Sequence, residues 1–362
     1  MAQRVNYGII SDIHENPYIV HRAINKLIIE GADKLILNGD ICPHGGDLQE
    51  SADISEALLT TVAKQGLETY VQPGSHESIL IYEPTIERIS ANYSNMINTI
   101  GCQKVEEANH HLVFLPGSDI NITGGEYTLC DENMPTGRYA GDDSSQFVPI
   151  KNWREIYKSL KNGKPVLHYH NINDLTNLVT HPEKTVVICH VPRKFPDLEQ
   201  GIDMAEFGLV EEDFEIWTVG RGEDEIYSRY VYKESDLELR SLLERDGFKL
   251  IESGRIHKGS IYPINSAERI LNVGQDLPIV LKKENRGNVS LGDLYDKLGI
   301  TKAVSGHFHE STHRACNRLG SHVPEDTYVK ELYWNAGHGD RGHFGLLTVE
   351  GEEVKYRNVL VD

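Results

Sequence analysis

Val5-Asn6-Tyr7-Gly8-Ile9-Ile10-Ser11-Asp12-Ile13-His14 is the stretch on which the fold turns. Its apolar, β-branched first half reads as a strand, and the polar pair Ser11-Asp12 ends it. Asp12 and His14 stand two apart, so in extended backbone their side chains leave the same side and can meet one ion. Asn16-Pro17 then starts a helix, with proline in the first turn where its missing N–H costs nothing. Ile19, Val20, Ala23, Ile24, Leu27 and Ile28 recur at helical spacing, and Gly31 stops the helix.

The same unit repeats downstream. Lys34 to Leu37 reads as a second strand ending at Asn38-Gly39-Asp40, a helix is expected around Glu50 to Lys64, and a third strand, Thr69 to Gln72, leads to Pro73-Gly74-Ser75-His76-Glu77. This βαβαβ alternation implies an α/β fold with a parallel sheet and right-handed crossovers. In such sheets the loops after the strand ends line one edge, and ligands bind there. Asp12, Asp40 and His76 each occupy a loop of that kind.

Further along, Leu112 to Leu115 and Thr185 to Cys189 read as strands, the second ending at His190, and Lys302 to Ser305 as a strand ending at Gly306-His307-Phe308-His309. Helices are expected at Trp153 to Leu160 and Ile172 to Val179. Phe344 to Val349 and Glu353 to Val361 alternate as a hairpin, and a parallel half followed by a more antiparallel half suggests two stacked sheets. Residues 195–300 are mixed and acidic, and are expected to be a cap-like elaboration inserted into a single domain spanning 1–362.

Composition narrows the function. The chain has 362 residues and a formal net charge of −19. That charge opposes capture of duplex nucleic acid, which relies on Lys and Arg against the phosphates. The five cysteines form no Cys-x-x-Cys pair, so neither a zinc ribbon nor a disulfide framework is expected. No signal-type segment opens the sequence, and no apolar run approaches the ~18 residues of a membrane span. A cytoplasmic protein without membrane partners is the expectation; the oligomeric state is not legible.

Taken singly, the polar segments are ordinary. Asp12-x-His14 could cap a turn, Asp40 could be a turn residue, and His190 could be a satisfied histidine at a sheet edge. Together they offer more. A carboxylate at position 40 can bridge two cations with its two oxygens. His307 and His309, behind a glycine that lets backbone approach closely, can straddle a metal pair. His168 and His170 are expected to be structural, Cys189 a buried strand residue, and His338 and His343 weaker candidates for substrate contact.

The order Asp-x-His, Gly-Asp, Gly-Ser-His-Glu, lone His and Gly-His-x-His resembles the calcineurin-like metallophosphoesterases, with Trp334-Asn335-Ala336-Gly337 where members often carry Asn-Pro-Gly-Ser. The resemblance implies a four-layer αββα sandwich of two mixed sheets, two divalent metals, and phosphoester hydrolysis by a metal-bound hydroxide. By that analogy Asp12, His14, Asp40 and His309 hold the first metal. Asp40, the residue at 75, His190 and His307 hold the second, and His76 assists the departing oxygen. Mn²⁺ is the expected activator, with Fe, Zn, Co or Ni as alternatives.

Two departures qualify the resemblance. Ser75 stands where members usually give an asparagine carbonyl to the second metal, and a neutral hydroxyl is a poorer ligand, so the second site is expected to be weaker. Pro43 and His44 stand where the protein phosphatases carry Asp and Arg. The segment Gly39 to Gly45 is closer to small bacterial and archaeal phosphodiesterases, which makes His44 a candidate substrate contact. A phosphodiesterase or phosphatase acting on a small phosphoester is the leading expectation. The alternatives are a non-catalytic scaffold of the same fold and a nuclease.

Overall fold

The computed structural model describes residues 4–14, 16, 18–41, 48–119, 126–131, 133–141, 146–221, 225–231, 245, 249–264, 267–268 and 277–362. The chain runs β1 (Val5–Ile10), α1 (Ile19–Ile29), β2 (Lys34–Asn38), α2 (Leu48–Ala63), β3 (Thr69–Gln72), α3 (Ile79–Asn92) and β4 (Met96–Asn98). It continues through β5 (Lys104–Glu106), β6 (His111–Leu115), β7 (Glu126–Cys130), β8 (Gly137–Gly141), β9 (Phe147–Pro149), α4 (Trp153–Lys161), β10 (Val166–Asn171), α5 (Leu175–Leu178) and β11 (Thr185–Cys189). Then come β12 (Met204–Val210), β13 (Phe214–Arg221), β14 (Glu225–Val231), β15 (Lys249–Ile256), β16 (Ile261–Pro263) and β17 (Ile279–Asn285). Last are α6 (Val289–Leu298), β18 (Lys302–Ser305), β19 (Ala315–Cys316), β20 (Leu332–Asn335), β21 (His343–Glu350) and β22 (Glu353–Leu360).

Two six-stranded mixed sheets carry the site. The first has the order β22-β21-β1-β2-β3-β4 and the second β19-β20-β18-β11-β6-β5. β1 runs parallel to β2 and antiparallel to β21, and β11 runs parallel to both β6 and β18. Strand periodicity sorts the core into layers. Tyr7, Ile9, Ile36 and Tyr70 face the second sheet and pack with Phe114, Ile188, Val304 and Trp334. Their neighbours Ile10, Leu35, Leu37 and Val71 face the other way, onto Ile24, Leu27, Leu59 and Ile86 of α1, α2 and α3. Val113, Val187 and Ala303 of the second sheet turn outward onto Leu175, Leu291 and Tyr295. The result is a helix–sheet–sheet–helix sandwich.

One local expectation changes, and one helix was not foreseen. The helix expected over 172–179 is a 3₁₀ turn followed by the four-residue α5, because Asn171 caps the first turn and Val179 is already extended ahead of Pro182. Helix α3 carries Pro84 in its interior, which hides it from a reading based on helix breakers; the Ser78 hydroxyl caps it by accepting the Leu80 N–H at 3.3 Å. A third sheet of four strands, β7-β10-β8-β9, was not expected. In it His168 and His170 stack with ring centres 4.6 Å apart, and His168 faces the buried Glu83, which also pairs with Arg138.

The chain divides into two compact units, residues 1–204 with 285–362, and residues 205–284. The second consists of two three-stranded sheets, β16-β12-β17 and β14-β13-β15, with Val210, Phe214, Ala267, Leu277 and Ile279 forming a small core. No helix among the described residues is long and apolar enough to cross a membrane.

Candidate metal centre

The site forms where β1, β2, β3, β11 and β18 end on one rim. The loops after β1 and β2 are tied backbone to backbone: the Ile13 N–H donates to the Asp40 carbonyl at 2.8 Å and the Asp12 N–H to Gly39 at 3.2 Å. Glu77 binds the next loop to them. Its buried carboxylate accepts the N–H groups of Asp40 (3.1 Å), Ile41 (2.5 Å) and Gly74 (2.6 Å). Glu77 stood in the quoted sequence without a role; its offset of three residues from Gly74 was the available sign.

Asp40 is the hub. Its Oδ1 accepts the N–H groups of Ser75 and His76, the latter at 2.9 Å, and its Oδ2 accepts the Ser75 hydroxyl at 2.8 Å. Asp12 is fixed on the opposite side. It accepts the His307 N–H at 3.1 Å and the Ser11 hydroxyl at 2.5 Å. A Cβ on Gly306 would lie 2.3 Å from Asp12 Oδ2, so only glycine brings the two loops this close.

Among the described residues, Asp12, His14, Asp40 and His307 are four of seven non-glycine residues with φ in the left-handed region, at 55°, 34°, 51° and 70°. Such backbone costs about 1 kcal/mol or more per residue and persists only where its surroundings enforce it. Concentrated strain of this kind points to a function for these loops.

Three groups of donors converge. Asp12, His14 and His309 offer one ligand atom each within 4.8 Å of one another, as do Asp40, His190 and His307, and also His14, Asp40 and His76. His14 Nε2 lies 3.2 Å from His309 Nε2, and His309 Nε2 lies 3.3 Å from Asp12 Oδ1. His190 Nδ1 meets the Asn38 carbonyl at 2.8 Å, which fixes the proton there and turns Nε2 toward Asp40 Oδ2 at 3.1 Å. His307 Nε2 is buried without a hydrogen-bond partner.

Electrostatics agree with a cation-binding role. Burial alone would raise both carboxyls, but His190 and His309 pull Asp12 down, and His190 and His76 pull Asp40 well below the carboxylate range. Burial opposes charge on His190, yet Asp40 and Asp12 outweigh it and push it up to about 10. Burial lowers His14 to about 4 and His307 to about 3. Two buried carboxylates ringed by imidazoles thus concentrate the negative charge that divalent cations would neutralise. An imidazole and carboxylate donor set with an orphaned buried nitrogen fits such cations.

A family model for calcineurin-like phosphoesterases matches residues 5–259. The chain belongs to the calcineurin-like phosphoesterases. It is therefore a metallophosphoesterase of a family that works with two divalent metals, and its His and Asp groups are able to hold them. No curated protein sequence matches this phosphoesterase. Solved structures that align with it include TT1561 of Thermus thermophilus, at 10% identity over 98% of this chain and 99% of that one, with a TM-score of 0.48. Another is named "Putative 5'-Nucleotidase from Staphylococcus aureus in complex with alpha-ketoglutarate", at 10% identity over 99% of this chain and 55% of that one, with a TM-score of 0.39.

The phosphoesterase gathers Asp12, His14, Asp40, Ser75, His76, His190, His307 and His309 at one rim. His44, the expected substrate contact, lies outside the described residues, as does Pro43. His338 stacks on His309 with ring centres 3.8 Å apart, and His343 lies against His313, Nδ1 to Nδ1 at 3.2 Å. Asp340, 2.8 Å from His338, was not singled out in the sequence, although it follows Gly337-His338-Gly339 directly.

Proposed function

We propose that this phosphoesterase hydrolyses small phosphoesters, with a diester as the preferred substrate and Mn²⁺ as its activating ion. What supports this reading most directly is Asp40: it stands in two of the three donor groups, once with His190 and His307 and once with His14 and His76. We assign Asp12, His14, Asp40 and His309 to a first cation, and Asp40, His190 and His307 to a second, with Ser75 beside them. When bound, two such cations acidify a water and neutralise the phosphoryl oxygens.

The remaining chemistry belongs to side chains. Hydrolysis adds one water across a P–O bond: its oxygen goes to phosphorus and one proton ends on the departing ester oxygen. We assign delivery of that proton to His76, whose Nδ1 lies 3.1 Å from His14 Nδ1 and whose Nε2 lies 3.9 Å from Asp40 Oδ2. The net charge of −19 disfavours long polyanions and leaves compact phosphoesters as the substrate class. The test compares bis-p-nitrophenyl phosphate with p-nitrophenyl phosphate in the presence of Mn²⁺. Metal-stimulated turnover favouring the diester is expected, and no metal-stimulated turnover of either ester would overturn the reading.

Ser75 sets the balance between the two cations. Its hydroxyl donates to Asp40 Oδ2 at 2.8 Å, so its hydrogen goes to the shared carboxylate. A Ser75→Asn variant would bring a carbonyl oxygen, a better ligand for a dication. The weaker of two Mn²⁺ equivalents in isothermal titration is expected to tighten about tenfold in that variant. Two equally tight equivalents in the parent protein would contradict this account of Ser75.

A further inference from the structure

Of the candidate ligands, His309 is the one with least support from its own backbone. It opens a single 3₁₀ turn, His309–Ser311, and its side chain keeps 35% of its exposure. His190, by contrast, is wholly buried and oriented by the Asn38 carbonyl. A second ring lies against His309. His338 lies over it with centres 3.8 Å apart and planes 24° from parallel, and His338 Nε2 lies 2.8 Å from Asp340 Oδ1.

The loop carrying His338 is itself pinned to the Asp12 loop. The Gly339 N–H donates to the Ser11 carbonyl at 2.9 Å and the Asp340 N–H to the Asp12 carbonyl at 3.0 Å, while Asn16 Nδ2 donates to the Asp340 carbonyl at 3.3 Å. A Cβ on Gly337 would lie 2.6 Å from Asp12 Oδ2, so the loop sits as close to the acidic ligand as backbone can. Thr312 Oγ1 lies 2.7 Å from the carbonyl oxygens of both His309 and Gly337, joining the two turns. A chain of contacts therefore runs from Asp12 through Asp340 and His338 to His309, and returns to Asp12.

We propose that His338 is a positioning residue whose ring keeps the His309 imidazole aimed at the first cation. The proposal rests on the assignment of His309 as a ligand of that cation. The stack restricts rotation of a partly exposed ring, so the ring reaches the cation already aligned, and the alignment cost is not charged against binding. The role needs a flat ring at position 338 and no proton transfer by it.

The test uses two volume-filling substitutions, His338→Phe and His338→Leu, with His309→Ala as control. Each full-length protein is stripped with chelator, its melting checked, and then titrated calorimetrically with Mn²⁺. His338→Phe keeps an aromatic face and is expected to bind the tighter equivalent within about twofold of the parent. His338→Leu is expected to lose about tenfold in the same constant, the range found when groups that orient a metal ligand are removed. Equal affinities for the Phe and Leu variants, with binding weakened in His309→Ala, would overturn the positioning role alone. Unchanged binding in His309→Ala would overturn the ligand assignment beneath it.

Discussion

Asp40→Asn is expected to abolish both metal equivalents together and to lower turnover by about a thousandfold or more while the protein stays folded. The substitution is nearly isosteric. Its amide oxygen can still accept the N–H groups of Ser75 and His76, so the loop after β3 keeps its anchor. What is lost is the negative charge shared between the group containing His190 and His307 and the group containing His14. An amide oxygen is a weaker ligand than a carboxylate and does not bridge two dications well. Metal analysis after Mn²⁺ loading, with melting of the chelator-treated protein as the folding control, measures this. Retention of one tight equivalent would show that Asp40 serves a single ion.

The second large effect concerns His76. His76→Gln is expected to reduce kcat by about 10²- to 10³-fold, the usual worth of a general acid, with metal content unchanged. The loss should be greater for an alkyl phosphoester than for a p-nitrophenyl ester, because p-nitrophenolate leaves without needing a proton. This outcome discriminates between two roles that geometry keeps close. His76 Nδ1 lies 3.1 Å from His14 Nδ1, and His76 forms a donor group with His14 and Asp40. If the variant loses a metal equivalent, His76 is a ligand and the proton must come from elsewhere.

Much of this was legible in the amino-acid sequence for a simple reason. Parallel strands deliver their following loops to one rim, so Asp12, Asp40, His76, His190 and His307 could be placed from strand ends alone. The alternation that sends Ile9 inward and Ile10 outward is equally a local pattern. What was hidden depends on partners far away in sequence. Glu77 reads as one more acid until three N–H groups from two loops are seen to point at it. Asp340 acquires meaning only through His338 and the Asp12 loop. The strand β10 was missed because His168 and His170 alternate with apolar residues yet are buried, His168 against the carboxylate of Glu83, rather than facing solvent. A buried polar face breaks the rule that alternation separates core from water.

His14 and His309, whose ring nitrogens lie 3.2 Å apart, are separated by 295 positions in the chain. Beside them, β1 lies in its sheet between β2 and β21, pairing Val5 with Val349. Closing a loop of that length costs about 5 kcal/mol of chain entropy, and contacts so distant form late in folding. No nascent or truncated chain that lacks β18 to β21 can assemble the first donor group. A divalent cation held by that first group therefore stabilises, by mass action, only chains that have brought His309 to Asp12 and His14. Cation binding at that group then reports that the two ends of the chain have met.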